Sequence, residues 1–141
     1  MSLHGRVQNS DNSNQGKALR VLCVCSAGLL RSPTAAFILS NAPYNFNTRS
    51  AGIESSYALI VVDEPLLVWA DLIICMDKHQ AKRLKDMYNN IQYGAYKSPE
   101  IIVLDTPDIY GFKHPKLMEI MSNKFAAKFP DGVYNANPSP Q

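Results

Sequence analysis

Apolar residues fall in short runs along this chain, and the runs alternate between two kinds. "ALRVLCVC" (18–25), "YNFNTRSAG" (44–52), "DLIICM" (71–76) and "EIIVLD" (100–105) are the first kind. They are short and rich in Val, Ile and Leu, or end in glycine, as buried strands do. The stretches between them have helical character. "TAAFILSNA" (34–42) follows Ser32-Pro33, which reads as an N-cap and a proline at the first helical position. "VDEPLLVWA" (62–70) carries Asp63 as cap and Pro65 in the first turn. Asp77 and Gln80 have capping-box spacing ahead of a helix over 78–90, with an apolar stripe of Ala81, Leu84, Met87, Tyr88 and Ile91. A closing helix over 114–129 lines up Leu117, Ile120, Met121, the aliphatic stem of Lys124, and Phe125.

Strands that alternate with helices predict an α/β fold: three layers, α/β/α, around a four-stranded parallel sheet. Ligands of such sheets bind at the carboxyl ends of the strands. Cys25 stands at that end of the first strand, and Asp105 and Asp108 follow the last. Residues distant in sequence are thereby expected to meet on one edge.

The ends of the chain break the pattern. "HGRVQNSDNSNQG" is polar and Asn/Ser-rich, and "NANPSPQ" carries two prolines near its end. Neither has much to bury, so residues 1–17 and 135–141 are expected to be disordered tails around a domain at 18–134. The chain has 141 residues and 46% apolar content, enough for one domain to build a core without metal or disulfide staples. No apolar run is long enough for a bilayer, and no signal pattern opens the chain. A net charge of +2 with no dense basic block points away from nucleic acid. Three cysteines, two of them two residues apart in a strand, predict free thiols and a cytoplasmic location.

The most informative stretch is "LCVCSAGLLRSPT" (22–34). A strand ends at Cys25, five small or apolar residues follow, and Arg31 then opens a helix. Taken singly, a strand cysteine is commonly an inert core residue, and an arginine at a helix start a solvated charge. Their position at one strand-to-helix junction favours a joint reading. The backbone N–H groups of Ser26, Ala27, Gly28, Leu29 and Leu30 form an anion cradle at the positive end of a helix dipole. Gly28 can take a positive φ, and the planar fork of Arg31 matches two phosphate oxygens. The same field favours the thiolate of a cysteine at its base, a nucleophile placed for in-line attack on a phosphate monoester. Ser32 is placed to donate a hydrogen bond to the sulfur. No Gly-Lys-Ser/Thr follows the glycine, so this is not an ATP-type phosphate loop.

"VCSAGLLRSPTA" (24–35), "RSAG" (49–52), "ADLIICMDKHQAKRL" (70–84) and "LDTPDIYG" (104–111) together resemble the low-molecular-weight protein tyrosine phosphatase family. The pieces occur in the family's order and span most of the expected domain. Larger, unrelated tyrosine phosphatases share the loop but take their general acid from before the cysteine. Here the only earlier aspartate is Asp11, in the polar tail. The resemblance implies that Asp108 is the general acid, with Asp105 as competitor, and that Tyr110 walls the cleft against an aromatic substrate. It implies no cofactor and no metal.

The chain departs from the family at four places. Gly28 replaces an asparagine whose side chain ties the loop together. Leu30 stands where many members have a second cysteine. Ile109 replaces the proline after the acid, and the stretch between Gly52 and Ala70 is short. His79 and His114 read as a helix-surface and a helix-entry residue, Cys23 and Cys75 as strand residues, and Trp69 as core. The expected activity is hydrolysis of a phosphotyrosine protein or a smaller phosphate ester. The alternatives are an arsenate reductase, which needs relaying cysteines and finds only Cys75 downstream, and a non-catalytic phosphate-binding module.

Overall fold

The structure is a computed structural model that describes residues 18–26, 31–54, 58, 60–91, 99–107 and 109–134. The expected tails at 1–17 and 135–141, loop residues Ala27, Gly28, Leu29 and Leu30, and Asp108 lie outside the described residues.

Strands and helices alternate as β1 (Arg20–Cys25), α1 (Arg31–Ser40), β2 (Asn47–Gly52), α2 (Glu64–Trp69), β3 (Leu72–Cys75), α3 (Lys78–Asn89), β4 (Glu100–Val103) and α4 (Pro115–Lys128). A 3-10 turn at Pro130–Gly132 follows. The four strands form one all-parallel sheet in the order β2-β1-β3-β4. Cys25 is in register with Gly52, Val24 with Cys75, and Cys75 with Val103, so the carboxyl ends share one edge.

Alternation along the strands divides the core in two. Val21, Cys23, Cys25, Leu72, Ile74, Met76 and Ile102 face α1 and α4, where they pack on Ala35, Leu39, Leu117, Met121 and Phe125. Leu22, Val24, Ala51, Ile73 and Cys75 face α2 and α3, against Leu66, Leu67, Ala81, Leu84 and Tyr88. Both faces of the sheet are therefore covered, which gives the three-layer α/β/α fold. The central strands β1 and β3 read as continuous apolar runs because they are buried on both sides.

The topology also places a crevice. The chain leaves β1 into α1 on one face and leaves β3 into α3 on the other. These neighbouring strands thus send their connections apart, which opens the switch point where parallel sheets bind ligands. Cys25 ends the strand on one side of it.

Local signals held at the caps. Asp63 accepts from the Leu66 N–H at 2.9 Å and Asp77 from the Gln80 N–H at 3.0 Å, each filling an orphan donor of its helix. His114 caps α4, its Nδ1 accepting from the Lys116 N–H at 3.0 Å. The other boundaries moved. α1 begins at Arg31, so Ser32 and Pro33 are its second and third residues rather than its cap and first. A proline there is tolerated because the first-turn N–H groups have no intrahelical partner. β2 begins at Asn47, after a turn at 42–44, and β4 ends at Val103, with Asp105 beyond it at φ 58°.

Candidate active site

Two stretches of local sequence put the central groups in place. β1 delivers Cys25 because its odd-numbered residues face the α1/α4 layer. α1 starts at the next described residue, Arg31, and turns Ser32 back toward the sheet. The Sγ of Cys25 and the Oγ of Ser32 are 3.1 Å apart, and both residues are buried. The Ser32 hydroxyl also lies 3.5 Å from the carbonyl oxygen of Ala51 in β2. Of the two roles expected of this serine, the cap does not form and the approach to the sulfur does.

Arg31 is only 5% exposed, so it is no solvated helix-start charge. Its Nη1 donates to the carbonyl oxygen of Thr106 at 3.1 Å. Thr106 is buried too, its N–H donating to the Met76 carbonyl at 3.3 Å and its hydroxyl to Met76 Sδ at 3.3 Å. The segment after β4 is thereby tied both to the end of β3 and to the first residue of α1. This is how residues 75 positions apart come to share the strand-end edge.

Ser26, the first loop residue, is held from two sides. Its carbonyl accepts from the Glu54 N–H at 3.0 Å, while the Cys25 carbonyl accepts from the Ile53 N–H at 2.9 Å. Its hydroxyl accepts from Nε2 of Gln80 at 3.3 Å. Gln80 is fully buried, and its Oε1 accepts from the Met76 N–H at 2.7 Å. Only half of the expected capping box forms as a result. Asp77 takes the Gln80 N–H, but the Gln80 side chain bridges the crevice from α3 to the loop start. Arg83, one turn further along α3, donates to Glu54 Oε2 at 2.6 Å and to the Ile53 carbonyl at 3.4 Å. Two residues of α3 thus brace the chain on either side of the crevice.

The other cysteines stand apart from this chemistry. Cys23 lies under the α1/α4 layer, and burial, followed by the charge of Cys25, pushes its thiol well above the ordinary range. Cys75 lies on the opposite face, and burial, reinforced by the charge of Asp77, pushes its thiol up to about 12. Both remain neutral thiols near pH 7.

Tyr110 sits in the segment before α4, packed against the core, with its ring 4.9 Å from that of His114. The exposed side chain of Asp105 is carried by a left-handed backbone just past β4. Trp69 is partly buried and has the Arg49 guanidinium 4.5 Å above its ring, which fits a core-edge residue. Among the described residues no three His, Cys, Asp or Glu side chains are grouped to hold a metal ion, and no helix is long and apolar enough to cross a membrane.

Cys25, Arg31 and Ser32 were legible in the sequence as a unit. Gln80 and Thr106 were not. Gln80 gave a signal, its capping-box spacing, but one that spoke for a helix start. Thr106 gave none, because it acts through its backbone carbonyl. No family model matches the chain, and no curated protein matches it.

Proposed function

We propose that this chain is a phosphomonoester hydrolase, a cysteine-dependent protein tyrosine phosphatase of the low-molecular-weight type, acting in the cytoplasm. The observation that carries the reading is the 3.1 Å approach of Ser32 Oγ to Cys25 Sγ, at the carboxyl end of β1 and beside a buried arginine. An inert core cysteine has no need of a buried hydroxyl partner at a helix start.

In this reading the Cys25 thiolate attacks phosphorus, the S–P bond forms and the bond to the leaving oxygen breaks. Asp108 gives its proton to that oxygen, as a carboxyl group kept neutral can. Arg31 and the amides of residues 26–31 hold the phosphoryl oxygens, a task suited to a planar fork and a cradle of N–H donors. Water then attacks the phosphocysteine, Asp108 accepts its proton, and the sulfur leaves with the Ser32 hydroxyl donating to it. Support for Asp108 comes from its place two residues after Thr106, whose carbonyl meets Arg31. Tyr110 is the wall for an aromatic leaving group, and the substrate is a phosphotyrosine protein or a smaller phosphate ester.

An arsenate reductase on the same loop would relay a disulfide through further cysteines. Cys23 and Cys75 are both buried, Cys75 on the far side of the sheet, which counts against that chemistry. Hydrolysis of p-nitrophenyl phosphate with EDTA present tests the proposal. Turnover by the wild type, its loss in Cys25→Ser with retained binding of inorganic phosphate, and damage to both in Arg31→Lys are the expected results. A serine variant with more than a trace of activity would remove Cys25 as nucleophile. A wild type that binds phosphate but never hydrolyses an ester would leave a phosphate-binding module.

A further inference from the structure

Just beyond β4, three consecutive carbonyl oxygens are held by two cations. Lys124 Nζ donates to the Leu104 carbonyl at 2.8 Å and to the Asp105 carbonyl at 3.0 Å. Arg31 Nη1 donates to the next one, that of Thr106, at 3.1 Å. The intervening residue, Asp105, has φ 58°, a conformation that a non-glycine residue adopts only at a cost and that its surroundings must hold in place. The N–H groups of Leu104 and Thr106 are occupied by the carbonyls of Cys75 and Met76. One face of this turn is thus pinned by the sheet, the other by Lys124.

A lysine at this place is otherwise hard to account for. It interrupts the stripe of Leu117, Met121 and Phe125 that α4 buries against the sheet, all three fully buried. A partly buried ammonium needs hydrogen-bond acceptors to offset its desolvation, and here it takes two from the one turn that also contacts the arginine.

We infer that Lys124 is a positioning residue of the active site. It fixes the Leu104–Asp105 carbonyls and with them the left-handed turn, and the turn aims the Thr106 carbonyl at Arg31. A guanidinium anchored at one nitrogen has its plane set before an anion arrives, so its fork meets phosphate already oriented. The inference rests on the phosphatase reading above for its catalytic consequence, but its effect on anion binding does not need turnover.

The test compares wild type, Lys124→Met and Lys124→Arg by calorimetric titration with inorganic phosphate and by steady-state hydrolysis of p-nitrophenyl phosphate. Lys124→Met keeps the aliphatic stem and removes the donors. It is expected to weaken phosphate binding about tenfold, the effect of one charge-assisted hydrogen bond acting at a distance, and to lower kcat/KM at least as much. Lys124→Arg keeps a cationic donor and should retain most of both. In an Arg31→Lys background the same Lys124→Met change should do little more, because the two act through one contact.

A folded Lys124→Met variant with wild-type phosphate affinity and kinetics would overturn the inference, as would full additivity with Arg31→Lys. Should Lys124→Met fail to fold, Lys124→Gln takes its place with the same criteria. A wild type that binds phosphate without hydrolysing the ester would sink the phosphatase reading alone, since the affinities would still decide Lys124. A wild type that binds no phosphate would sink both.

Discussion

The hydroxyl of Ser32 lies 3.1 Å from the sulfur of Cys25, and neither residue is more than 3% exposed. A hydrogen bond to a sulfur carrying charge is worth about 1.5–3 kcal/mol, roughly a factor of ten to a hundred in rate. In the proposed mechanism it acts chiefly where sulfur becomes a leaving group, in the breakdown of the phosphocysteine. Ser32→Ala should therefore lower kcat by about that factor and make the second step limiting. Stopped-flow mixing with p-nitrophenyl phosphate should then show a burst of nitrophenolate equal to the enzyme present. An unchanged kcat with no burst would mean that Ser32 does not serve the sulfur.

Asp108→Asn removes the carboxyl group that the proposed mechanism uses as proton donor. A loss of about 10²–10⁴-fold in kcat is usual for a general acid. The loss should be largest for phenyl phosphate and shrink as the leaving group becomes acidic enough to depart unprotonated. A flat loss across such a series, or a larger effect from Asp105→Asn, would move the role to another group. The exposed side chain of Asp105, on a turn held through its backbone, predicts only a mild effect there.

Oxidation should strike Cys25 and be poorly reversible. Hydrogen peroxide converts a thiolate to a sulfenic acid with release of hydroxide, and a nearby thiol normally traps that species as a disulfide, releasing water. Neither other cysteine is placed to do so. Cys23 is two residues along the same strand, about 6.5 Å away between Cα atoms, near the limit for a disulfide and across extended backbone. Cys75 packs with Leu22 and Val24 on the opposite face. Further peroxide then adds a second and third oxygen. Intact mass should show these additions on the Cys25 peptide, little recovery with dithiothreitol, and protection by inorganic phosphate. A Cys25–Cys75 or Cys25–Cys23 disulfide with full recovery would contradict the placement.

Alkaline stability carries the mark of the buried thiols. The pKa of Cys75 rises from about 8.5 in an unfolded chain to about 12 here. A group whose folded pKa is raised contributes its full stability below the unfolded value and loses it as pH climbs toward the folded one. Cys23 is shifted in the same direction. The urea midpoint should therefore fall between pH 9 and pH 11, and the fall should be shallower in Cys75→Ala, whose midpoint at pH 7 starts lower. Identical slopes for the two proteins would show that the thiol does not titrate with unfolding.

The sequence by itself determined the order of strands and helices, the caps at Asp63 and Asp77, the buried α4 stripe, and the association of Cys25 with Arg31 at one strand-to-helix junction. These are signals carried within a turn or a few strand residues, where 3.6-fold and 2-fold periodicity and orphan N–H groups decide the outcome. What only the tertiary structure decided lies between residues far apart. Ser32 reads both as a cap and as a donor to the sulfur; only the second role forms, because α1 begins two residues before Pro33 and lies over β1. Gln80 reads as half of a capping box; it reaches Ser26, 54 residues away, because β3 pairs with β1 and α3 stands across the crevice. Thr106 meets Arg31, and Lys124 the preceding carbonyls, only once β4 has docked on β3 and α4 has folded back beneath it. The same geometry set Cys75 on the far face of the sheet from Cys25, a separation that strand alternation permits but that register alone fixes.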